Sequence, residues 1–184
     1  MIARRGLMAL GAAGVLGMAA AACTADVKTV SNVDAAYGRK LDRVLVTVDL
    51  GYRHSPGLVM TNEATYLKMG EVVDSLRAAF APTGVTTEFV TEESAVPAAT
   101  ASFRPTQFLN IHVSSYSKDM GSPNAFTLKC EVRDAATQKR IWLSTITFEA
   151  SQTAGTRLLR AASKKAADNF ADNLVGRLRQ DRLI

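Results

Sequence analysis

The sequence predicts an α/β domain: one mixed sheet of about five strands covered by two amphipathic helices, in the order β-α-β-β-β-β-α. Two observations support this fold class. Five short segments are apolar throughout or on alternate residues, which is typical of strands. Two longer segments carry apolar residues three and four positions apart, which is typical of helices that bury one face. One sheet beneath two helices is the simplest way to bury both helix faces.

The first half of the domain predicts a strand, a helix and a second strand. Residues 43–50 are apolar on both faces, which favours a central strand, and residues 51–58 form a loop. Thr61 or Asn62 can cap the helix that follows, and Pro82 and Gly84 end it. Its apolar stripe consists of Tyr66, Met69, Val73, Leu76 and Phe80. Residues 85–90 form the next strand, and a strand–helix–strand unit favours a parallel pair.

The second half predicts three strands and a helix. Residues 91–105 are rich in Ala, Thr and Pro and indicate an exposed loop, and residues 107–113 form a strand. A polar connector over 114–124 leads to a hairpin of strands 125–133 and 140–150, which must be antiparallel. From Thr156 onward the pattern is helical, with a stripe of Leu159, Ala162, Ala166, Phe170, Leu174 and Leu178.

The amino-terminal residues predict a secretory signal. Arg4 and Arg5 precede an uncharged apolar run from 6 to 22, which is too short and too rich in Ala and Gly for a membrane-spanning helix. The run ends in Ala20-Ala21-Ala22-Cys23, which resembles the lipobox of bacterial lipoproteins, although that family prefers Leu where Ala20 stands. An ordinary signal peptide followed by a coincidental cysteine is the alternative interpretation.

The lipoprotein resemblance implies a domain organisation and a location. It implies cleavage before Cys23 and acylation of the Cys23 thiol and new amino terminus, so that the lipid fastens the protein to a bilayer. Thr24, where an Asp would retain the protein in the inner membrane, implies the periplasmic face of the outer membrane. We therefore expect a signal peptide over 1–22, a lipidated cysteine and flexible tether over 23–40, and a periplasmic domain over 41–184.

The net charge limits the kinds of partner that we expect, and the position of the second cysteine indicates its environment. The formal net charge is +5, of which Arg4 and Arg5 leave with the signal. Basic residues cluster near the carboxyl terminus, which indicates a solvated helix face or contact with anionic lipid or another acidic envelope polymer. We expect no nucleic-acid partner, because no binding motif accompanies these charges. Cys130 alternates with Phe126, Leu128 and Val132, which predicts a buried and unreactive thiol.

The sequence shows no recognised catalytic, phosphate-binding or zinc-binding motif, so we expect no catalytic residues, cofactor or metal. His112 alternates with Phe108 and Asn110 on a strand and is assigned a structural role. His54 and Tyr52 follow the first strand, where α/β proteins often contact ligands, and are candidate partner contacts. For Trp142, the lone tryptophan, packing beneath a helix is the default interpretation, and contact with a partner is the alternative.

The hairpin segment from Cys130 to Trp142 resembles a feature of several envelope lipoproteins. The matching residues are Asp134, Thr137, Ile141 and Trp142, while Gln138 stands where a Gly is usual. The group comprises the curli-secretion channel lipoprotein, the lipoprotein activators of penicillin-binding proteins and the amino-terminal domain of TolB. The resemblance implies their fold over roughly residues 41–180 and transfers no functional residue.

Three functions remain as hypotheses. The first is a membrane-anchored binding module that serves a secretion, transport or cell-wall assembly through a protein partner of the envelope. The second is a structural oligomer, such as a ring or channel subunit. The third is a small-ligand carrier or an enzyme that uses the His54 loop.

Overall fold

A computed structural model describes residues 26–55, 58–60, 67–119, 122–149 and 163–184. Six strands form one mixed sheet in the order β1-β8-β7-β6-β2-β5, and β3 and β4 form a separate two-stranded sheet. β2 pairs in parallel with β5 and β6, and the other pairs of the large sheet are antiparallel. The strands are β1 Asp26–Val33, β2 Arg43–Asp49, β3 Tyr52–Ser55, β4 Leu58–Met60, β5 Thr86–Val90, β6 Gln107–Asp119, β7 Ser122–Asp134 and β8 Arg140–Glu149.

Three α-helices accompany the sheet: α1 Met69–Phe80, α2 Val96–Phe103 and α3 Ser163–Gln180. Short 3₁₀ turns at Ala81–Thr83 and Glu93–Ala95 follow α1 and precede α2. α1 and α3 pack beside each other on one face of the sheet, and their apolar stripes complete the core. The mixed sheet, the parallel first pair and the two core helices are therefore confirmed, while Thr156, Leu159 and Ala162 of the second predicted helix lie outside the described residues.

The core lies between α1, α3 and one face of the sheet. Alternate residues of each central strand enter it, as the period of two requires. Phe126 stacks on Phe148 with ring centroids 4.8 Å apart, and Phe148 meets Phe170 of α3 at 6.2 Å. Cys130 is buried among these residues, as predicted, and burial raises the pKa of its thiol, which disfavours the reactive thiolate.

The predicted tether is wrong, because residues 26–33 form strand β1. β1 pairs with β8 along its whole length, from Asp26 opposite Glu149 to Val33 opposite Trp142. Only alternate residues of this edge strand face the core, and several of those are polar, such as Thr29 and Ser31. An edge strand with one half-buried face carries little apolar pattern, which explains why the sequence did not indicate it.

Three further segments differ from their predictions. The expected loop 91–105 contains α2, and the expected loop 51–58 contains β3 and the start of β4. The expected connector 114–124 is occupied largely by the extended ends of β6 and β7, which pair to Asp119 opposite Ser122. The first helix begins at Met69 with Lys68 at its amino-terminal cap, while Thr61, Asn62 and Tyr66 lie outside the described residues.

The hairpin turn between β7 and β8 is held by one buried carboxylate. Asp134 Oδ1 accepts hydrogen bonds from the backbone N–H of Thr137 at 2.9 Å and of Ala136 at 3.1 Å. The Thr137 backbone bond, with smaller contributions that include Arg39, holds the pKa of Asp134 below its usual value. Gln138 has a φ of 57°, so it adopts the left-handed conformation that a Gly would adopt at lower cost.

Candidate ligand groove at the strand ends

A groove of about 770 Å³ lies on the sheet face opposite α1 and α3. It opens where the parallel strands β2 and β5 reach their carboxyl ends beside β6. In open α/β sheets this edge is the usual place for a ligand. The floor carries side chains of β2 and β6, and the wall is formed by the segment from Val90 to Pro97 that leads into α2.

Two cross-strand pairs set the polar floor. Thr47 is opposite Asn110 and Asp49 is opposite His112 in the parallel register of β2 and β6. The Thr47 hydroxyl donates a hydrogen bond of 2.7 Å to Asn110 Oδ1. Asp49 Oδ1 accepts the backbone N–H of Gly51 at 2.8 Å, which fixes the carboxylate where β2 ends. The floor thus presents an amide, a carboxylate and an imidazole in one row.

The surroundings of His112 favour the neutral form of its imidazole. Burial lowers the pKa of its imidazole, and the charge of Lys129 on β7 lowers it further. Glu131 and Asp49 act in the opposite direction with smaller effect. A neutral imidazole offers one hydrogen-bond donor and one acceptor, so His112 can bind either kind of polar group.

The groove combines hydrogen-bonding groups with an apolar wall. Val90, Val96 and Pro97 lie on the wall beside the exposed carboxylate of Glu92. The Thr47 hydroxyl is bonded to an amide oxygen, which cannot serve as a base that would activate a nucleophile. Among the described residues, no three His, Cys, Asp or Glu side chains lie together as metal ligands. The arrangement suits recognition of a polar ligand or peptide segment.

The residues singled out from the sequence fall in different places. Tyr52 and His54 lie on β3, whose backbone approaches β6, but their side chains lie outside what the structure describes. Cys23 and the signal also lie outside the described residues. Within the described ranges, no helix is long and apolar enough to cross a membrane.

Trp142 is not available as a partner contact. Its side chain is 1 % exposed, and its indole Nε1 donates a 2.7 Å hydrogen bond to Asp181 Oδ2 after the end of α3. Packing beneath a helix, the default interpretation from the sequence, is what the structure shows. A buried indole needs a partner for its N–H, and the carboxylate supplies it.

Sequence reasoning missed the groove residues Thr47, Asn110 and His112 as a group. In the sequence, each is an ordinary polar residue on a strand in which apolar and polar residues alternate. The available signal was topological, because polar residues near the carboxyl ends of parallel strands meet at one edge. That signal requires knowing that β6 lies parallel to β2, which the sequence left undecided.

No protein family and no curated protein matches this sequence. Among solved structures, the PelC dodecamer from Paraburkholderia phytofirmans is similar with a TM-score of 0.48 and 15% identity, over 80% of this chain and 96% of that one. A DUF330 protein from Xanthomonas campestris is similar with a TM-score of 0.45 and 16% identity, over 83% of this chain and 94% of that one. Neither similarity carries residues or a function over to this chain.

Proposed function

We propose that this chain is an envelope lipoprotein, fastened to the outer membrane through acylated Cys23, whose domain is a binding module without catalytic activity. The observation that carries the proposal is the amino-terminal pattern: a basic start, an apolar run and small residues that lead directly into Cys23. The groove on the open face of the sheet supplies the recognition surface.

The position of β1 supports the anchoring role. Thr24 and Ala25 alone separate Cys23 from Asp26, the first residue of the sheet. Three peptide steps span at most about 11 Å. A lipid on Cys23 would hold the edge of the sheet close to the bilayer surface. A long tether, in contrast, would let the domain move away from that surface.

The groove chemistry supports binding over catalysis. Its floor offers donors and acceptors, its wall offers apolar contact, and its one hydroxyl on β2 is already bonded to Asn110. Ligand sites in proteins combine a few polar groups with apolar walls in this way. A segment of an envelope protein partner is the ligand that we propose for it.

The lipid is tested by expressing the full chain in a bacterial host that is fed labelled palmitate. Wild-type protein should carry the label and sediment with membranes, and Cys23→Ser should lose both properties. Cys130→Ala is the matched control, because it removes the other thiol and should change neither. Labelled Cys23→Ser would overturn the anchor.

The groove is tested in the same cells with a photo-crosslinking residue at Glu92, on the groove wall. The control places it at Asp74, an exposed carboxylate of α1 on the opposite side of the sheet. A discrete heterologous product from position 92 and none from 74 supports the binding module. A product with twice the mass of the chain would instead favour the structural oligomer. Equal products from both positions would contradict the assignment of the groove as the binding surface.

A further inference from the structure

The sheet has two ends that differ in charge. The anchor end is where β1 begins, near Asp26. The basic end is where β1 finishes, near Val33, and it gathers the loops before β2, before β6, between β7 and β8, and after α3. Backbone hydrogen bonds tie these loops together: Leu41 N–H to Leu183, Thr106 N–H to Arg43, and Ala135 N–H to Thr106, each 2.8–2.9 Å.

Exposed cations dominate the basic end. The structure describes one exposed carboxylate there, Asp42, and the other acidic side chains of this end are half-buried or buried. Those carboxylates are already paired, Asp134 with Arg39 at 2.5 Å and Asp34 with Lys139 at 2.8 Å. The exposed cations of this end are Arg39, Lys40, Arg104, Lys139, Arg140, Arg179 and Arg182. The excess positive charge therefore faces solvent.

Five of those cations lack an acidic partner within the part of the chain that the structure describes. Among the described residues, no carboxylate lies within ion-pair distance of Lys40, Arg104, Arg140, Arg179 or Arg182. At the anchor end the exposed charges of the described residues are mixed: Lys28, Lys68, Lys164 and Lys165 lie there together with Asp49, Glu92 and Glu93. Among the described residues, the larger surplus of positive charge therefore lies at the basic end.

Two of the arginines occupy backbone positions that usually take Gly. Arg104 follows α2 with a φ of 52°, and Arg182 follows α3 with a φ of 59°. A left-handed conformation costs a residue with a side chain roughly 1–2 kcal/mol. The chain accepts that cost at this end and gains a guanidinium at each position.

The basic end lacks the apolar centre of a stable protein interface. Such interfaces bury aromatic or aliphatic anchors inside a polar rim. Among the described residues, the large apolar side chain that stands exposed is Val30, in the middle of β1. Charge without an apolar centre fits a flexible polymer that carries repeated anionic groups, since guanidinium groups pair with carboxylates and phosphates.

With a lipid on Cys23, the basic end would also lie away from the membrane that anchors the protein. β1 runs from the anchor end for seven steps of about 3.3 Å, roughly 23 Å. Attraction to an anionic bilayer surface decays over a Debye length of about 8–10 Å. A lipid at Cys23 would therefore hold the basic end about two to three Debye lengths from the headgroups when β1 stands upright.

From these observations we infer that the basic end binds an anionic polymer of the envelope, held away from the bilayer that anchors the protein. The orientation rests on the proposed lipid anchor, while the polymer contact rests on the exposed cations alone. The groove and the basic end are then two separate binding surfaces, at opposite ends of the sheet.

The experiment measures binding of fluorescent poly-L-glutamate and polyphosphate to the lipidated protein in neutral vesicles. Arg104→Glu/Arg179→Glu should weaken binding about ten-fold or more. Lys68→Glu/Lys165→Glu changes the net charge equally at the anchor end and should stay within about two-fold. Circular dichroism confirms folding of each variant. Equal losses in both double variants, or binding of neither polymer, would overturn the inference; preference for one polymer identifies carboxylate or phosphate as its anion.

Vesicles rich in phosphatidylglycerol test the orientation. Polymer affinity should stay within about two-fold of its value in neutral vesicles, because the anionic surface lies beyond the Debye length. A large loss would show that the basic end lies on its own bilayer and would overturn the stated orientation. If the protein does not remain with the vesicles, the proposed lipid anchor is wrong. Binding of the polymer to the protein in solution is measured separately, because it tests the polymer contact without the anchor.

Discussion

The two ends of α3 each hold a carboxylate against a neighbouring element, but in different surroundings. At the basic end, Asp181 Oδ2 accepts hydrogen bonds from Trp142 Nε1 at 2.7 Å and from Ser31 Oγ at 2.5 Å, and its side chain is 15% exposed. At the anchor end, Asp168 accepts from Ser75 Oγ at 2.6 Å and from Lys164, and its side chain is 45% exposed. The basic end is thus built on a shielded polar network, and the anchor end on a solvated one.

Removing each carboxylate gives the largest expected contrast. Asp181→Ala leaves Trp142 Nε1–H and the Ser31 hydroxyl without their acceptor in a mostly buried place, and it removes the ion-pair partner of Arg177. We expect it to lower the free energy of unfolding by about 2–4 kcal/mol, because unpaired buried donors lose their full hydration. Asp168→Ala should cost under about 1 kcal/mol, because water replaces the lost acceptor.

These free energies of unfolding are measured with urea. Unfolding is followed by Trp142 fluorescence in the wild type and by circular dichroism in both variants. Equal losses for the two variants would show that the shielding of Asp181 has no energetic consequence. The contrast between the ends would then be one of charge alone.

Backbone strain at the basic end predicts a smaller effect. Gln138→Gly should raise the free energy of unfolding by about 0.5 kcal/mol, because relief of roughly 1–2 kcal/mol of left-handed strain exceeds the entropic cost of Gly. Gly84→Ala, at a φ of 79° between α1 and β5, should lower it by about 1 kcal/mol.

Gln138→Ala separates strain from contact. It removes the 2.8 Å hydrogen bond from Gln138 Nε2 to Ala135 O but keeps a Cβ in the left-handed conformation. Thermal unfolding should therefore rank Gly above Gln and Gln at or above Ala at position 138. A Gly variant less stable than wild type would contradict the strain argument.

The smallest expected effect is a pH dependence confined to the groove half of the molecule. Because the pKa of His112 is lowered on folding, the unfolded chain binds a proton more readily. The contribution of His112 to stability is therefore fully present above its ordinary pKa of about 6.5 and declines as pH falls below it.

Comparing urea unfolding at pH 7.5 and 5.0 checks this direction. The wild type should lose more stability than His112→Gln over that interval. Asp34, Asp134 and Asp168, whose pKa values are also lowered, lose their contributions at more acidic pH and are common to both proteins. Equal losses would remove His112 as the cause.

Elements with a strong apolar period could be predicted from the sequence. β2, the β7–β8 hairpin, α1 and α3 each bury a continuous face, so their patterns are unambiguous. α2 could not be predicted, because an eight-residue helix is marginal alone and depends on packing over β2 and β5. β1 could not be predicted either, since its core-facing positions include Thr29 and Ser31.

The candidate surfaces were predicted less well than the fold. The sequence indicated an excess of basic residues near the carboxyl terminus, but it could not show that loops distant in sequence bring Arg39, Arg104 and Arg140 to the same end. Likewise, Thr47 and His112 are 65 residues apart in the chain and meet only through the parallel register of β2 and β6. Surfaces assembled from several loops depend on topology, which local patterns do not contain.

The pairing of β1 along all eight of its residues has a mechanical consequence. Tension applied through a lipid at Cys23 would enter the domain at Asp26 and act along the strand axis. The hydrogen bonds between β1 and β8 would then be loaded together in shear. They would not be opened one after another, as they are when a strand is peeled from its end. A load between the lipid and a polymer on the basic end would then be carried by the whole β1–β8 pair.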